Sequence, residues 1–438
     1  AYGPDLLAYI VYGLQQIYDF GGKFAIITAT FPPFIKDLLF KRDIRGSQDY
    51  HFVLIDKKFC TNQKRHNLKV IAEELNVRDI ICKHRDNMQT GISSKCLVVC
   101  NTIKKAQEVY AELKNQNIDN VFLLHSKFIR KHRNNKEKMI LAVGKTYKED
   151  DISLNNLNEI WVTTQIVEAS LDIDFDYLFT ELSDLNGLFQ RLGRCNRKGK
   201  KQTNKPNCYI YTNINENLLI NKQKDRGFID EGIYRLSKEA IEEFGDGIIT
   251  EKDKQRLIET YMTTEKLCEK DTRYLSDYWG HYNYVSDLYL NESNSKDVSR
   301  RFRNIISYNV IPESIYEDSR TRAEIDYIIE RLNEISVYFQ ETRERKDKVS
   351  QEMKEDLQLE RIELKEKFRS YTVPVGYYDI YSGRDTDRII DKIKLGNNEE
   401  IFVVKAYYDK ELGFQRLRSE DLNQGQSALT DINFDSFI

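Results

Sequence analysis

Residues 187 to 197 read GLFQRLGRCNR, which crowds Gln190, Arg191, Arg194 and Arg197 into about three helical turns. At about 100° per residue, Gln190, Arg194 and Arg197 fall in one narrow stripe, while Leu185, Leu188, Phe189 and Leu192 lie roughly opposite. Ser183 or Asp184 is placed to cap the start of such a helix, and Gly199 to end it. A helix carboxyl end favours a cation by only a few tenths to about 1 kcal/mol, too little to explain two aligned guanidinium groups. Two forked cations beside an amide suit a nucleotide triphosphate. Arginine neutralises charge on a transferred phosphoryl group, worth about 10³ to 10⁵ in rate where such a finger is used, and glutamine orients the attacking water. The competing reading is a solvated basic face with acidic neighbours.

A helix of this kind needs a frame, and residues 95 to 215 supply the pattern of one. CLVVC, VFLLHS, EIWVTTQ, YLFTEL and CYIYT read as short buried strands separated by helical stretches, which predicts a mostly parallel sheet with ligands at its carboxyl edge. Small polar residues end several runs: Thr28 and Thr30 after FAIITAT, Asn101 and Thr102, His125 and Ser126, then Thr163, Thr164 and Gln165. Such groups track a sugar-phosphate backbone without reading bases, although each set also serves as helix caps. Basic runs at 127–138 (KFIRKHRNNKEK) and 194–201 (RCNRKGKK) suit a single-strand path, the first equally well as a solvated helix face.

The rest of the 438 residues is ordinary in composition, with 40% hydrophobic content and a formal net charge of -3 that argues against wholesale coating of nucleic acid. Seven scattered cysteines without a CxxC pair point to a reduced, cytoplasmic setting and to no metal site, and no run is long and apolar enough for a membrane span. The chain opens on an amphipathic helix, followed by Gly21, Gly22 and the expected strand FAIITAT. EGIYRLSKEAIEEF and RAEIDYIIERLNEI read as packing helices, the latter with Ile325, Ile328, Ile329, Leu332 and Ile335 on one stripe. The tyrosine-rich stretch 273–290 reads as core in preference to a base-stacking platform. Residues 341–356 read as an exposed helix or linker, and SYTVPVGYY and EEIFVVKAYYDKELGF as strands, the second turning near Lys410 to Gly413.

The ordered set TAT, CNT, LHS, VTTQIVEASLDID and QRLGRCNR resembles motifs III, IV, IVa, V and VI of superfamily 2 helicases. Within that superfamily, the long motif V running into ELSDLNGLFQRLGRCNR resembles the CRISPR-associated helicase-nuclease of type I interference systems. The resemblance implies an α/β chain with these boundaries: residues 1–58 as the tail of a first RecA-like domain, 59–215 as the second RecA-like helicase domain, 216–340 as a helical linker, and 341–438 as a small α+β C-terminal domain. It also implies an ATP-dependent DNA helicase, with Mg²⁺ ligands, the Walker boxes and the nuclease domain expected in a missing N-terminal half. The only GKT, Gly144 to Thr146, has Met139 where a P-loop needs its first glycine.

Carried over residue by residue, the resemblance makes Arg194 and Arg197 the arginine fingers and Gln190 the residue near the γ-phosphate and attacking water. Asp172, Glu168, Arg191 and Gly193 join the nucleotide side. Asn101, Thr102, His125, Ser126, Thr163 and Thr164 become DNA-backbone contacts, and Thr28 and Thr30 couple ATP state to closure. Ser170 stands where the family usually has glycine. Implied partners are single-stranded DNA, the type I CRISPR surveillance complex and the missing domains. The alternatives are another superfamily 2 helicase acting on RNA, and a non-catalytic nucleic-acid-binding fragment.

Overall fold

The computed structural model describes residues 3–28, 30–40, 61, 63–90, 93–145, 158–168, 171–287, 307–345, 351–380, 388–395 and 399–417. They fall into two compact units, residues 1–124 with 138–304, and residues 125–137 with 305–438.

The main sheet of the first unit is built from β1 (His66–Ile71), β2 (Cys96–Val99), β3 (Val121–Leu124), β4 (Ile160–Thr163), β5 (Tyr177–Glu181), β6 (Cys208–Tyr211) and β7 (Gly247–Ile249), with Leu219–Ile220 and Ile229–Asp230 pairing separately. The main sheet has the order β3-β4-β2-β5-β6-β1-β7, parallel throughout except for the antiparallel edge strand β7. All residues of β2 and β4 are buried, as expected of strands covered on both faces. Every expected strand between 95 and 215 is present. β1 was not anticipated, because HNLKVI alternates too weakly to stand out.

Helices α1 (Pro4–Asp19), α2 (Pro33–Phe40), α3 (Arg78–Gln89), α4 (Ile103–Asn115), α5 (Arg130–Val143), α6 (Leu185–Leu192), α7 (Glu231–Phe244) and α8 (Glu251–Tyr261) interleave with or follow the strands. Thr102 accepts a hydrogen bond from the Lys105 N–H at 3.0 Å and so caps α4, whose Ala106, Val109, Tyr110 and Leu113 are buried at helical spacing. The aromatic helix Arg273–Ser286 packs against α1: Tyr278 is fully buried and Tyr282 meets Tyr12 edge to face at 5.9 Å. Those rings are core. Tyr289 lies outside the described residues.

FAIITAT is not a strand where it is described. Residues 22–28 pair with no other strand among the described residues, and Ile27 is 98% exposed. A strand exists only through ladder bonds to a neighbour, so an apolar alternating run without one stays irregular.

The second unit holds a sheet of four strands, Val373–Gly376, Ser307–Pro312, Glu400–Val404 and Ile389–Lys394 in spatial order, with the middle pair parallel. The long helices Ser319–Arg345 and Gln351–Arg369 contact each other, and Arg331 donates to both carboxylate oxygens of Glu360 at 2.7 and 3.0 Å. Ile325, Ile328, Leu332 and Ile335 are buried, as their stripe predicted. The hairpin Tyr407–Asp409 to Gly413–Gln415 turns where expected. Gly413 has φ +76°, and a Cβ there would lie 2.6 Å from the Lys127 carbonyl oxygen, so glycine is required on both counts.

Candidate functional site

Because β4, β2 and β5 are neighbours, the segments leaving their carboxyl ends, Thr164–Gln165, Asn101–Thr102 and Leu182–Ser183, meet at one rim of the sheet. Arg191 on α6 reaches into this rim and is fully enclosed. Its Nε donates to Glu168 Oε1 at 2.7 Å, its Nη1 to Thr180 Oγ1 at 2.9 Å and to the Glu181 carbonyl at 2.6 Å, and its Nη2 to Asn101 Oδ1 and Ser183 Oγ, both at 3.2 Å. All five N–H donors of the guanidinium are therefore engaged inside its own lobe.

Asn101 extends the network: its backbone N–H donates to Glu181 Oε2 at 2.6 Å, its amide to the Leu182 carbonyl at 2.9 Å, and its own carbonyl accepts from Gln165 Nε2 at 2.9 Å. Burial raises the Glu181 carboxyl above its ordinary value, against the pull of that N–H and of nearby Lys105 and Arg191. Thr163 is enclosed, with its hydroxyl donating to the Val98 carbonyl at 3.1 Å, and Thr164 is 6% exposed. Thr102 remains half-buried at the head of α4.

Arg194 and Arg197 face a different environment. Asp184 caps α6 by accepting the Gly187 N–H at 2.9 Å, and the helix ends at Gly193, not Gly199, so both arginines lie in the turn that follows. The helical wheel does not apply to them. Arg194 donates through Nε to the Val167 carbonyl at 3.0 Å and through Nη2 to the Glu168 carbonyl at 2.7 Å, and Arg197 pairs with Asp172 at 3.1 Å. Arg197 and Asp172 are 40% and 77% exposed, and Gln190 is exposed beside them. Burial and the neighbouring Arg197 charge both lower the Arg194 pKa, the signature of two cations side by side. Glu168 joins the two environments, holding Arg191 with its carboxylate and Arg194 with its carbonyl. Ser170 lies outside the described residues.

Thr28 is exposed and its hydroxyl donates to the Thr30 carbonyl at 2.9 Å. His125 and Ser126 belong to the second unit. The His125 ring is buried, stacked on Phe128 at 4.4 Å, with Nε2 donating to the Leu412 carbonyl at 3.0 Å and Nδ1 accepting from the Lys127 N–H at 3.1 Å, while Ser126 is exposed. The basic run at 127–138 is partly neutralised within its own unit: Lys127 pairs with Asp379 at 2.6 Å, Arg130 with Glu366 at 3.3 Å and Arg133 with Glu137 at 2.7 Å.

A second buried histidine stands behind the arginine turn. His66 donates through Nε2 to the Cys195 carbonyl at 2.9 Å, and its Nδ1 accepts from Lys254 Nζ at 3.4 Å. Burial, reinforced by Lys254 and Arg65, pushes His66 down to about 3, and burial pushes His125 to about 3 as well. Both rings fold neutral. The unfolded chain takes up their protons near pH 6.5, so stability is intact above that value and declines as pH falls toward 3. Between pH 7 and pH 5 the loss is up to about 2 kcal/mol for each ring. Thermal melts at the two pH values should show lower stability at pH 5, with a smaller difference in His66→Gln; identical pH dependence in that variant would contradict the assignment.

Glu181, Asp174 and Arg65 were not singled out by the sequence. For Asp174 a signal existed: LDIDFD alternates apolar and acidic residues, and Leu171, Ile173 and Phe175 are buried, which directs the acids to the other side of the chain. Arg65 gave none.

Residues 92–200 match the family described as the C-terminal part of the CRISPR-associated nuclease/helicase Cas3. Over that stretch the chain is similar to the C-terminal region of Cas3 nuclease/helicases. It is 27% identical over 347 residues to the CRISPR-associated nuclease/helicase Cas3 of Methanothermobacter thermautotrophicus, covering 74% of this chain and 37% of that protein. It is 30% identical over 208 residues to the CRISPR-associated endonuclease/helicase Cas3 of Escherichia coli, covering 42% and 22%. The solved T. fusca Cas3-ADP structure superposes with a TM-score of 0.51 at 17% identity, covering 71% of this chain and 41% of that one, which supports the fold. The chain thus spans well under half the length of these Cas3 relatives. The predicted α/β class holds.

Proposed function

We propose that this chain is the second RecA-like lobe, with linker and C-terminal domain, of an ATP-dependent DNA helicase, and that it completes an ATP site whose phosphate cradle and Mg²⁺ ligands lie on another lobe. The supporting observation is the pair Arg194 and Arg197, partly exposed beside exposed Gln190 while Arg191 three residues away is sealed inside. A merely structural basic turn has no reason to divide its arginines in this way. Arg194 and Arg197 act as arginine fingers on the γ-phosphate, Gln190 orients water, and Asp172 holds Arg197 until nucleotide arrives. Glu168, Arg191 and Gly193 form the support. This 438-residue sequence contains no phosphate-cradling GxxxxGK[ST] run, so residues 1–438 alone should hydrolyse no ATP above background. ATP turnover by them that is lost in Arg197→Ala would contradict the division of labour.

The nucleic-acid side of the proposal rests on Thr102 at the head of α4, the end of a helix that favours phosphate, with Asn101, Thr163 and Thr164 shaping that loop from within; Ser126, in the second unit, is carried over from the motif resemblance alone. Thr28 and Thr30 couple nucleotide state to lobe closure. The motif resemblance to the CRISPR-associated helicase-nuclease family implies single-stranded DNA as the substrate and the surveillance complex of a type I CRISPR system as the partner. Comparing single-stranded DNA and RNA as stimulators of ATP turnover in the complete protein tests the substrate. DNA should stimulate more strongly, and equal or stronger stimulation by RNA would favour an RNA-acting enzyme.

A further inference from the structure

The turn that carries Arg197 is gripped at the backbone by side chains from two distant segments. Asp174, 7% exposed, accepts the Arg197 N–H at 2.9 Å, and Arg65 Nη1 donates to the Arg197 carbonyl at 3.0 Å. The polar backbone groups of Arg197 are thus both fixed by side chains, which no regular secondary structure would require.

The surrounding contacts show how Asp174 is itself held. The extended segment around it lies along the arginine turn, with the Phe175 N–H donating to the Arg194 carbonyl at 2.9 Å and the Asn196 N–H to the Phe175 carbonyl at 3.0 Å. Alternation then places three acids on the same side, each with its own role: Asp172 pairs with the Arg197 guanidinium, Asp174 takes its N–H, and Asp176 pairs with Lys201 at the far end of the turn. Asp176 is anchored in turn by the Lys95 N–H at 2.9 Å and the Ser93 hydroxyl at 2.7 Å. On the other side the Asp174 N–H donates to the Gly144 carbonyl at 2.8 Å, where a Cβ on Gly144 would lie 2.7 Å from Ile173 Cβ, so the close approach needs glycine. Asn196 sits at φ +44°, a conformation its side chain supports by donating to the Arg65 and Lys201 carbonyls at 3.0 and 3.2 Å.

We infer that Asp174 and Arg65 are positioning residues for Arg197, acting through its backbone to fix the direction of the guanidinium. The inference rests on the arginine-finger reading. A misplacement of about 1 Å in a group acting on a transition state costs on the order of 10²-fold in rate.

The test is nucleic-acid-stimulated ATP hydrolysis by the complete enzyme, with kcat and KM determined for Asp174→Ala, Asp174→Asn, Arg197→Ala and the double variant Asp174→Ala with Arg197→Ala. Asp174→Ala should lower kcat by about 10²-fold and leave KM for ATP within about threefold, because the affected contact forms with the transition state. Asp174→Asn keeps an oxygen that accepts the Arg197 N–H and should recover most of that loss. In the Arg197→Ala background the Asp174 substitution should cost nothing further, since its target is gone, whereas a purely structural defect would add to the loss. Wild-type kcat in Asp174→Ala, in an enzyme that Arg197→Ala inactivates, overturns the positioning role and leaves the finger standing. Wild-type kcat in Arg197→Ala overturns the finger itself. Should Asp174→Ala fail to fold, Arg65→Met carries the same test: a kcat loss that vanishes in the Arg197→Ala background supports the inference, and unchanged kcat overturns it.

Discussion

Arg197→Ala in the complete enzyme should lower nucleic-acid-stimulated ATP turnover by about 10³ to 10⁵-fold and barely change the melting temperature. The rate effect is that of removing a cation that meets charge developing on the transferred phosphoryl group. The small stability effect follows from exposure: Arg197 and Asp172 are 40% and 77% exposed, and an ion pair of that kind is worth about 0 to 1 kcal/mol. Arg197→Lys should recover little turnover, because an ammonium cannot present the two-pronged donor set of a guanidinium. ATP turnover and a thermal melt on the same preparation check the claim, and unchanged turnover would remove the central premise.

Arg191→Ala should do the opposite in kind. Its side chain is fully buried and its guanidinium donates to Glu168, Thr180, Glu181, Asn101 and Ser183. Removing it strands the Glu168 carboxylate and several buried acceptors at once, at a cost of about 3 to 5 kcal/mol. The melting temperature of the complete protein or of this chain should fall by several degrees, and Arg191→Lys should not restore it, since three rotating donors cannot meet five fixed acceptors. Loss of turnover without loss of stability in Arg191→Ala would mean that this arginine, too, acts on nucleotide. Two arginines six positions apart in one short stretch are therefore expected to fail in different assays.

That division was only half legible in the sequence. The strands from Cys96 to Tyr211 announced themselves as apolar runs, and Asp184 announced the start of α6 by its side chain. The end of α6 did not: Gly193 closes it at φ -61°, an ordinary helical value, so nothing local distinguishes Gly193 from the interior or favours it over Gly199. Extending the wheel past Gly193 put Arg194 and Arg197 on a stripe that does not exist, although the two still end up side by side. Burial of Arg191 was hidden for another reason. Arginine is rarely enclosed, and the partners that permit it here come from three separate strand ends that only the sheet order brings together. FAIITAT has the alternation of a strand, but alternation describes a face and not a pairing partner. The acids of LDIDFD show the reverse case: their period-two spacing marks one side of the chain, but it names none of the partners that make Asp174 matter.

The most direct measurement is a structure of the complete protein bound to DNA and to ADP with a fluoroaluminate mimic of the transferred phosphoryl group. The account predicts both the Arg194 and Arg197 guanidinium groups within about 3 Å of the mimic, with Arg197 released from Asp172 and Gln190 beside the in-line water. Finding both arginines still on Val167, Glu168 and Asp172, with the mimic neutralised wholly by other residues, would contradict it.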